Sequence, residues 1–112
     1  MGIDFQMHRA SANIAKGFRQ FQKADNKLAE GKFDSAVKHY DKGLNRFVKA
    51  EDHLAKAEDD AYSKVGTKID KGNQELKKSI YEYTQGNVDN AEKHYVSAMN
   101  SYDEALDLID FD

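Results

Sequence analysis

The sequence predicts an all-α protein, a four-helix bundle built from two similar antiparallel helical hairpins. Two observations predict this fold class. Apolar residues recur at steps of three or four along almost the whole 112-residue chain, which places them on one stripe of each helix. Identical residues also recur at an offset of 55 positions, which indicates that one hairpin unit occurs twice. The absence of proline suits long helices, and alternation long enough for a strand is nowhere sustained.

The first hairpin is predicted over about residues 3–58. The apolar stripe of its first helix consists of Ile3, Met7, Ala10, Ile14, Phe18, Phe21, Ala24 and Leu28. The stripe of its second helix consists of Phe33, Ala36, Tyr40, Leu44, Phe47, Ala50 and Leu54. Between the two lies Gly31, and glycine readily takes the left-handed conformation that ends a helix. We therefore predict a turn at Gly31, with Asp34 able to accept backbone N–H bonds at the start of the next helix.

The second hairpin is predicted over about residues 61–111, with its turn at Gly86 and with Asn87 or Asp89 as the cap of its last helix. The junction between the hairpins is open to two interpretations. Glu58-Asp59-Asp60 could cap a helix that begins near Ala61. A single uninterrupted stripe is also formed by Leu54, Ala57, Ala61, Val65 and Ile69.

The repeat relates the two hairpins residue by residue. The matched pairs include Ile14 with Ile69, Lys16-Gly17 with Lys71-Gly72, Gly31 with Gly86, Asp34 with Asp89, Ala36 with Ala91, and Lys38-His39-Tyr40 with Lys93-His94-Tyr95. One hairpin cannot bury its apolar stripe alone, whereas two hairpins packed together can, as a four-helix bundle or a short stacked array. We therefore predict a single helical domain over residues 1–112.

The second half of each unit resembles a known repeat. Gly31, Phe33, Asp34, Ala36, Tyr40, Gly43 and Leu44 resemble the second half of a tetratricopeptide repeat, and a weaker copy is formed by Gly86, Val88, Asp89, Ala91, Tyr95, Ala98 and Met99. The stretch from Ala24-Asp25 through Leu44 is also similar to the helical hairpin of microtubule-interacting-and-trafficking domains. The resemblance implies a hairpin in which small residues let the partner helix approach closely. The period here is 55 residues, against about 34 in tetratricopeptide repeats.

Composition excludes several classes of function. Without cysteine the chain has no disulfide, no thiol nucleophile and no cysteine-based metal site. No apolar run is long enough to span a membrane, and no signal peptide is apparent, so we expect a cytoplasmic protein. A glycine-rich phosphate loop and a Gly-x-Ser-x-Gly elbow are both missing. We therefore expect a non-enzymatic helical protein-interaction or scaffold module, with no catalytic residue, no cofactor and no metal.

The charge distribution indicates where a partner binds. Residues 1–56 carry a net charge of +4 and residues 57–112 carry −7, which together make the overall −3. This asymmetry could hold the two hairpins together, or it could drive self-association. Acidic residues near the end of the last helix oppose its macrodipole, so stability does not explain them. We predict a partner-binding surface formed by Asp103, Glu104, Asp107, Asp110 and Tyr81. The expected partner is a protein, either a basic one or a second copy of this chain, and neither nucleic acid nor a membrane.

Two other functions stay open. His39-Tyr40-Asp41-Lys42-Gly43 is similar to the His-x-x-Lys-Gly core of histidine phosphotransfer domains, which are also helical bundles. That similarity implies His39 as the phosphoacceptor and Lys42 as the residue that steadies the phosphate charge. The third function is a metal-binding bundle, in which His39, His94 and a carboxylate would meet across a pseudo-two-fold axis.

Overall fold

The computed structural model describes residues 2–56 and 60–108, and these ranges are helical apart from two short turns and the final residue. The helices are α1 (Gly2–Ala29), α2 (Phe33–Lys56), α3 (Asp60–Thr84) and α4 (Val88–Asp107). Each helix packs against the next one in the chain, and the bundle measures 45 × 20 × 19 Å. The predicted fold class, an all-α bundle of two antiparallel hairpins, is confirmed.

The turns inside the two hairpins have the same backbone structure. Gly31 and Gly86 have φ angles of 77° and 80°, in the left-handed region that costs little only for glycine. The residue after each glycine donates its N–H to the carbonyl five positions earlier, Lys32 to Lys27 and Asn87 to Glu82, both at 2.9 Å. This is the Schellman arrangement that ends a helix. The helix ends predicted at the two glycines are therefore confirmed.

Asn87 precedes α4 without capping it through its side chain. Its Nδ2 instead donates to Glu82 Oε2 at 2.9 Å, across the turn. The prediction that the Asn87 side chain caps α4 is wrong, because the amide is turned toward the end of α3 and away from the N–H groups of α4. Only its backbone carbonyl joins α4, as the acceptor for Ala91 N–H at 3.0 Å.

Helices α2 and α3 are separate and lie side by side. Asn73 Nδ2 of α3 donates to Glu51 Oε1 of α2 at 3.1 Å. In one continuous helix these residues would be about 33 Å apart. The predicted cap residues Glu58 and Asp59 lie outside the described residues, and Asp60 is the first residue of α3.

Residues 55 positions apart face each other across the middle of the bundle. Phe47 of α2 stacks on Tyr102 of α4 with ring centroids 3.9 Å apart, and Tyr40 lies 5.2 Å from Tyr95. The two hairpins therefore stand side by side with both turns at the same end. The backbones of α2 and α3 pack closely where the hairpins meet, whereas α1 reaches α4 only through side chains such as Phe18 and Phe21, which contact Tyr102 and Tyr95.

Three glycines on the helix faces make room for aromatic rings. A Cβ at Gly17 would lie 2.6 Å from the Phe47 ring, and a Cβ at Gly43 would overlap the Phe21 ring. The position equivalent to Gly17, Gly72 of α3, is covered by the Tyr102 ring. Within each hairpin, an aromatic side chain of the second helix thus lies against a glycine of the first.

The predicted apolar stripes form the core, with one exception. Fully or nearly buried positions include Ala10, Ile14, Phe21, Ala24, Ala36, Tyr40, Leu44, Phe47, Ala50 and Leu54 in the first hairpin. Met7, Phe18 and Leu28 are half-buried against them, and the side chain of Ile3 lies outside the described residues. Phe33 is 44% exposed, so its assignment to the core is wrong. It is the first residue of α2, at the turn end of the bundle, where it projects beyond most of the core.

Two polar networks connect the hairpins, one around Asp25 at the surface and one around Asn73 in the interior. Asp25 accepts hydrogen bonds from the hydroxyls of Tyr40 at 2.6 Å and Tyr95 at 3.3 Å. Tyr102 donates to Asn73 Oδ1 at 2.6 Å, and Asn73 in turn donates to Glu51. Burial raises the pKa of Tyr40, Tyr95 and Tyr102, so these hydroxyls stay protonated donors at neutral pH. The networks join all four helices.

Candidate functional site

The predicted acidic residues of α4 lie on its outer face. Asp103, Glu104 and Asp107 are all exposed. Glu104 forms an ion pair with Lys68 of α3, with Nζ and Oε2 2.8 Å apart, and the hydrogen bond from Lys68 lowers the pKa of its carboxyl. Asp103 and Asp107 form no ion pair within residues 2–56 and 60–108, which leaves both available to a partner. Asp110 lies outside the described residues.

Tyr81 does not belong to the same surface as these carboxylates. It is 60% exposed, whereas Tyr83, two residues further along α3, is 5% exposed. Ser79 Oγ donates to the Ala91 carbonyl at 2.7 Å, so this part of α3 lies beside the first turns of α4. Thirteen residues or so of α4, about 20 Å along the helix, therefore separate the level of Tyr81 from Asp103. The residues predicted to form one partner-binding surface therefore lie at two separate places, with Tyr81 at one and the carboxylates of α4 at the other.

Val96 is an exposed apolar residue that sequence analysis did not single out. It is 56% exposed on the outer face of α4 and lines a shallow depression with Asp89, Glu92 and Lys93. The sequence could have indicated this outward position, because residues 89, 96 and 103 are seven apart and therefore share one side of a helix. We define the acidic face by the outward residues of α4, which are Asp89, Glu92, Lys93, Val96, Asp103 and Asp107.

The side of the bundle formed by α1 and α2 is basic. Sequence analysis found the net charge of +4 over residues 1–56 but did not place it on one face. Three polar pairs join the helices along it. The distance is 2.9 Å from Gln6 Oε1 to His53 Nδ1, 3.5 Å from Asn13 Oδ1 to Arg46 Nη1, and 2.8 Å from Gln20 Oε1 to His39 Nδ1. Successive pairs are seven residues apart on each helix, which corresponds to about 10.5 Å. They form a regular ladder down the α1–α2 junction.

Rows of lysine and arginine flank this ladder. We define the basic face by four rows of residues, and the members of each row are seven positions apart in sequence. The two rows on α1 are Gln6, Asn13, Gln20 and Lys27, and Arg9, Lys16 and Lys23. The two rows on α2 are His39, Arg46 and His53, and Ser35, Lys42, Lys49 and Lys56. Eight of these positions are Lys or Arg and none is Asp or Glu. Lys27 pairs with Glu30 at 3.8 Å. The other cations of the face form no ion pair with any residue in the part of the chain that the structure describes.

The equivalent face of the second hairpin is not basic in this way. Positions equivalent to Gln20 and Lys49 are Glu75 and Glu104, which form ion pairs with Lys78 at 3.6 Å and Lys68 at 2.8 Å. Lysines are therefore neutralised there by carboxylates on the same face. The excess positive charge is confined to the first hairpin.

No ion pair connects the first hairpin to the second among the residues that the structure describes. The ion pairs all lie within one hairpin or within its turn. Aromatic packing and the two networks around Asp25 and Asn73 hold the hairpins together instead. The opposite net charges of the two halves are thus exposed on separate surfaces.

His39 lies within the basic face, with its ring oriented by α1. The Gln20 Oε1 atom can only accept, so the imidazole Nδ1 carries the proton and Nε2 keeps a free lone pair. Burial first, and then the positive charges of Lys42, Lys23 and Lys27, lower the pKa of His39 and favour the neutral ring. Sequence analysis predicted Lys42 beside His39, whereas Gln20, Lys23 and Lys27 become its neighbours only through the folding of the hairpin.

Gly43 has a packing role in this arrangement. It is buried, and the ring of Phe21 and the carbonyl of Gly17 occupy the space around it. In the histidine phosphotransfer alternative a glycine at this position would open access to His39, but here Gly43 serves the packing of α1 on α2. Its repeat mate Ala98 is buried as well.

The two repeated histidines do not meet. His94 Nδ1 lies 2.8 Å from Glu75 Oε2 on the α3–α4 side, whereas His39 lies on the α1–α2 side. Among the described residues no three His, Cys, Asp or Glu side chains are grouped so that they could hold a metal ion. The metal site predicted from His39 and His94 is therefore not formed. The hydrogen bond with His94 lowers the pKa of Glu75.

Comparisons with protein-family models, with curated proteins and with solved structures found no match. In residues 2–56 and 60–108, none of the helices combines the length and the apolar composition that crossing a bilayer requires.

Proposed function

We propose that this chain is a non-enzymatic, cytoplasmic protein-interaction module that binds charged protein partners. The observation that carries the proposal is the segregation of charge on the bundle surface. Eight Lys and Arg residues share the basic face with no carboxylate, and the acidic face of α4 has four carboxylates and one lysine. Long-range attraction between such surfaces and a partner of opposite charge speeds association and selects the partner.

A protein partner fits this surface better than a nucleic acid does. The chain has a net charge of −3, and its two charged faces lie on different sides of one bundle. The resemblance to tetratricopeptide hairpins supports a binding role as well. We therefore propose that a basic protein segment binds the acidic face and that an acidic protein segment binds the basic face.

Two labelled peptides test this proposal, an amphipathic helix of leucine and lysine and the same helix with glutamate in place of lysine. We expect both to bind the full chain at low salt, as measured by fluorescence polarisation. The double variant Asp103→Asn and Asp107→Asn should weaken binding of the lysine peptide by about fivefold, since two exposed ion pairs are worth about 1 kcal/mol together. It should leave the glutamate peptide unaffected.

The matched variant Lys16→Gln, Lys23→Gln and Lys42→Gln should weaken only the glutamate peptide. As a control, Lys64→Gln and Lys71→Gln alter equivalent rows in the second hairpin, where carboxylates share the face, and should change neither affinity by much. If neither peptide binds at low salt, the proposed function is wrong.

His39 supports a second candidate, a histidine phosphotransfer protein. Its neutral ring, its free Nε2 and three lysines nearby suit acceptance of a phosphoryl group. Nε2 would attack the phosphorus of a donor such as phosphoramidate, the new N–P bond replacing the bond to the departing ammonia. Lys42, Lys23 and Lys27 would then neutralise charge on the phosphoryl oxygens.

Intact-mass measurement after incubation with phosphoramidate tests the second candidate. We expect one acid-labile phosphoryl group on the wild-type protein, lost in His39→Gln and retained in the control His94→Gln, whose ring faces a carboxylate. Lys42→Gln should slow the reaction. An adduct that persists in His39→Gln, or no adduct at all, would eliminate this candidate.

A further inference from the structure

The basic face and the acidic face are complementary in length as well as in charge. The row from Gln6 to Lys27 spans 21 residues, or about 31 Å of helix. Asp89 and Asp107 are 18 residues apart on α4, or about 27 Å. A helix with the acidic face of α4 is therefore long enough to cover most of the α1–α2 junction.

The spacing of side chains also matches. Asp89, Val96 and Asp103 recur every seven residues along α4, and the polar pairs that join α1 to α2 recur at the same interval of about 10.5 Å. A nucleic-acid strand instead presents one phosphate per roughly 3.4 Å of rise. The common seven-residue interval favours an α-helix as the occupant of the basic face.

These two surfaces cannot meet within one chain. α4 packs against α3, and its side toward the bundle interior contacts α1 and α2 through Tyr95 and Tyr102. Its acidic face therefore points away from the α1–α2 side on which the basic face lies. No ion pair joins the hairpins within the described ranges, so neither face is neutralised by the other internally.

We propose that the acidic face of α4 of one copy docks on the basic face of the next copy, so that the chain associates head to tail. This inference rests on the proposed function and names the partner as a second copy of the same chain. Val96 would lie at the centre of the contact, with Asp103 and Asp89 beside the lysine rows. Because the two contacting patches differ, each copy keeps one unused patch, and the association continues into longer chains or closes into a ring.

Sedimentation velocity with two complementary variants tests the proposal. The first variant, Lys16→Gln with Lys23→Gln and Lys42→Gln, weakens the basic face and leaves the acidic face intact. The second, Asp103→Asn with Asp107→Asn, weakens the acidic face and leaves the basic face intact. In about 0.01 M salt, where charges interact over about 30 Å, we expect the wild-type protein to form dimers and larger species. At a protein concentration near the wild-type dissociation constant, each variant alone should be mostly monomeric, and an equimolar mixture, in which one intact face of each kind is present, should form dimers.

In about 1 M salt, where the range falls to about 3 Å, the wild-type protein should be a monomer. Helical circular dichroism of both variants controls for folding, and all five substitutions are at exposed positions. A mixture that remains monomeric, or a variant that dimerises with itself, would contradict the head-to-tail contact. A wild-type monomer at low salt that still binds the two labelled peptides would overturn this inference and leave the proposed function standing. A monomer that binds neither peptide would overturn both, and a monomer retained by a single-stranded oligonucleotide would assign the basic face to nucleic acid.

Discussion

Phe21, Phe47 and Tyr102 each occupy the space that a Cβ would fill at a glycine on the neighbouring helix. The ring can come this close to the backbone only where no side chain projects, so the glycine and the ring depend on each other. The closest approach is at Gly43, where a Cβ would overlap the Phe21 ring and would lie 3.0 Å from the carbonyl oxygen of Gly17. Backbone on one side and a buried ring on the other leave little room for adjustment.

Gly43→Ala should therefore lower the free energy of unfolding by about 1–3 kcal/mol, the usual range for overpacking a core. Urea unfolding followed by circular dichroism measures the change. Gly66→Ala is the matched control, because a Cβ there would only touch Leu54 at 4.0 Å. Within a helix that exchange should raise stability by roughly 0.5–1 kcal/mol. Equal stability of Gly43→Ala and wild type would contradict the close packing of α1 on α2.

Glu51 is a carboxylate whose environment disfavours its charge. Burial raises the pKa of Glu51, and the neighbouring carboxyl of Asp70 raises it further, while the hydrogen bond from Asn73 acts in the opposite direction. A carboxyl with a raised pKa in the folded state binds protons more tightly there than in the unfolded chain. Its charged form therefore costs stability at neutral pH, and this cost disappears as the pH falls through the folded-state pKa.

We expect Glu51→Gln to raise the free energy of unfolding at pH 7, since the amide oxygen can still accept from Asn73 without carrying charge. The gain should shrink on acidification and vanish below about pH 4, where the carboxyl is protonated in both states. Urea unfolding across this pH range measures the difference. Asp41→Asn, at an exposed position of the same helix, serves as the control. A Glu51→Gln variant less stable than wild type at pH 7 would mean that the charge is favoured after all.

The role of a residue could be predicted from the sequence where neighbours in sequence determine it. It could not be predicted where contacts between residues distant in sequence determine it. Gly43 lies three residues after Tyr40 on the apolar side, yet nothing local distinguishes a glycine that opens a site from one that a ring covers. The Gln20–His39 pair is 19 residues apart in sequence and follows only from the register of α1 on α2. Phe33 has the right spacing for the core but lies at the first residue of its helix.

Helices α1 and α3 each end two residues before a glycine in the left-handed conformation. Gly31 and Gly86 both have positive φ, and a Cβ at either position would meet nothing within 4 Å. Substitution there is thus opposed by backbone strain and not by crowding. The cost of the turn can therefore be measured here without a cost of packing.

Gly31→Ala and Gly86→Ala should each destabilise the protein by about 1–2 kcal/mol, the cost of placing an L-residue in the left-handed region. Thermal unfolding measures both, and similar losses are expected because the two turns share one hydrogen-bond pattern. Gln85→Ala, in the same turn and exposed, should change stability by less than about 0.5 kcal/mol. Unchanged stability in both glycine variants would show that the turns carry no strain.

Helix bounds were predictable at these turns because glycine and apolar period are local signals. The separation of α2 from α3 was not, since the residues around the junction fit one helix or two equally well. The basic face could not be predicted from the sequence either. Lysine and arginine rows are visible in the sequence, but only the packing of α1 against α2 brings four rows onto one side of the bundle.

At the scale of the whole molecule, neither hairpin has a complete core. Phe47 of the first hairpin stacks on Tyr102 of the second, and Phe21 lies 6.0 Å from Tyr102 and 6.3 Å from Tyr95. Asp25 likewise accepts one of its two tyrosine hydrogen bonds from each hairpin. Separating the hairpins would expose several of the largest buried side chains to water, at about 25 cal/mol for each Å² of apolar surface.

Fragments 1–56 and 57–112 should therefore fold only together. We expect each fragment alone to be much less helical than its share of the intact protein, and equimolar mixing to restore helicity by circular dichroism. Their net charges of +4 and −7 should speed this association, so raising the salt concentration should slow recovery even though no ion pair joins the hairpins within the described residues. A fragment 1–56 that is fully helical and monomeric by sedimentation would contradict the dependence of one hairpin on the other, because its aromatic side chains would then need no partner from α4.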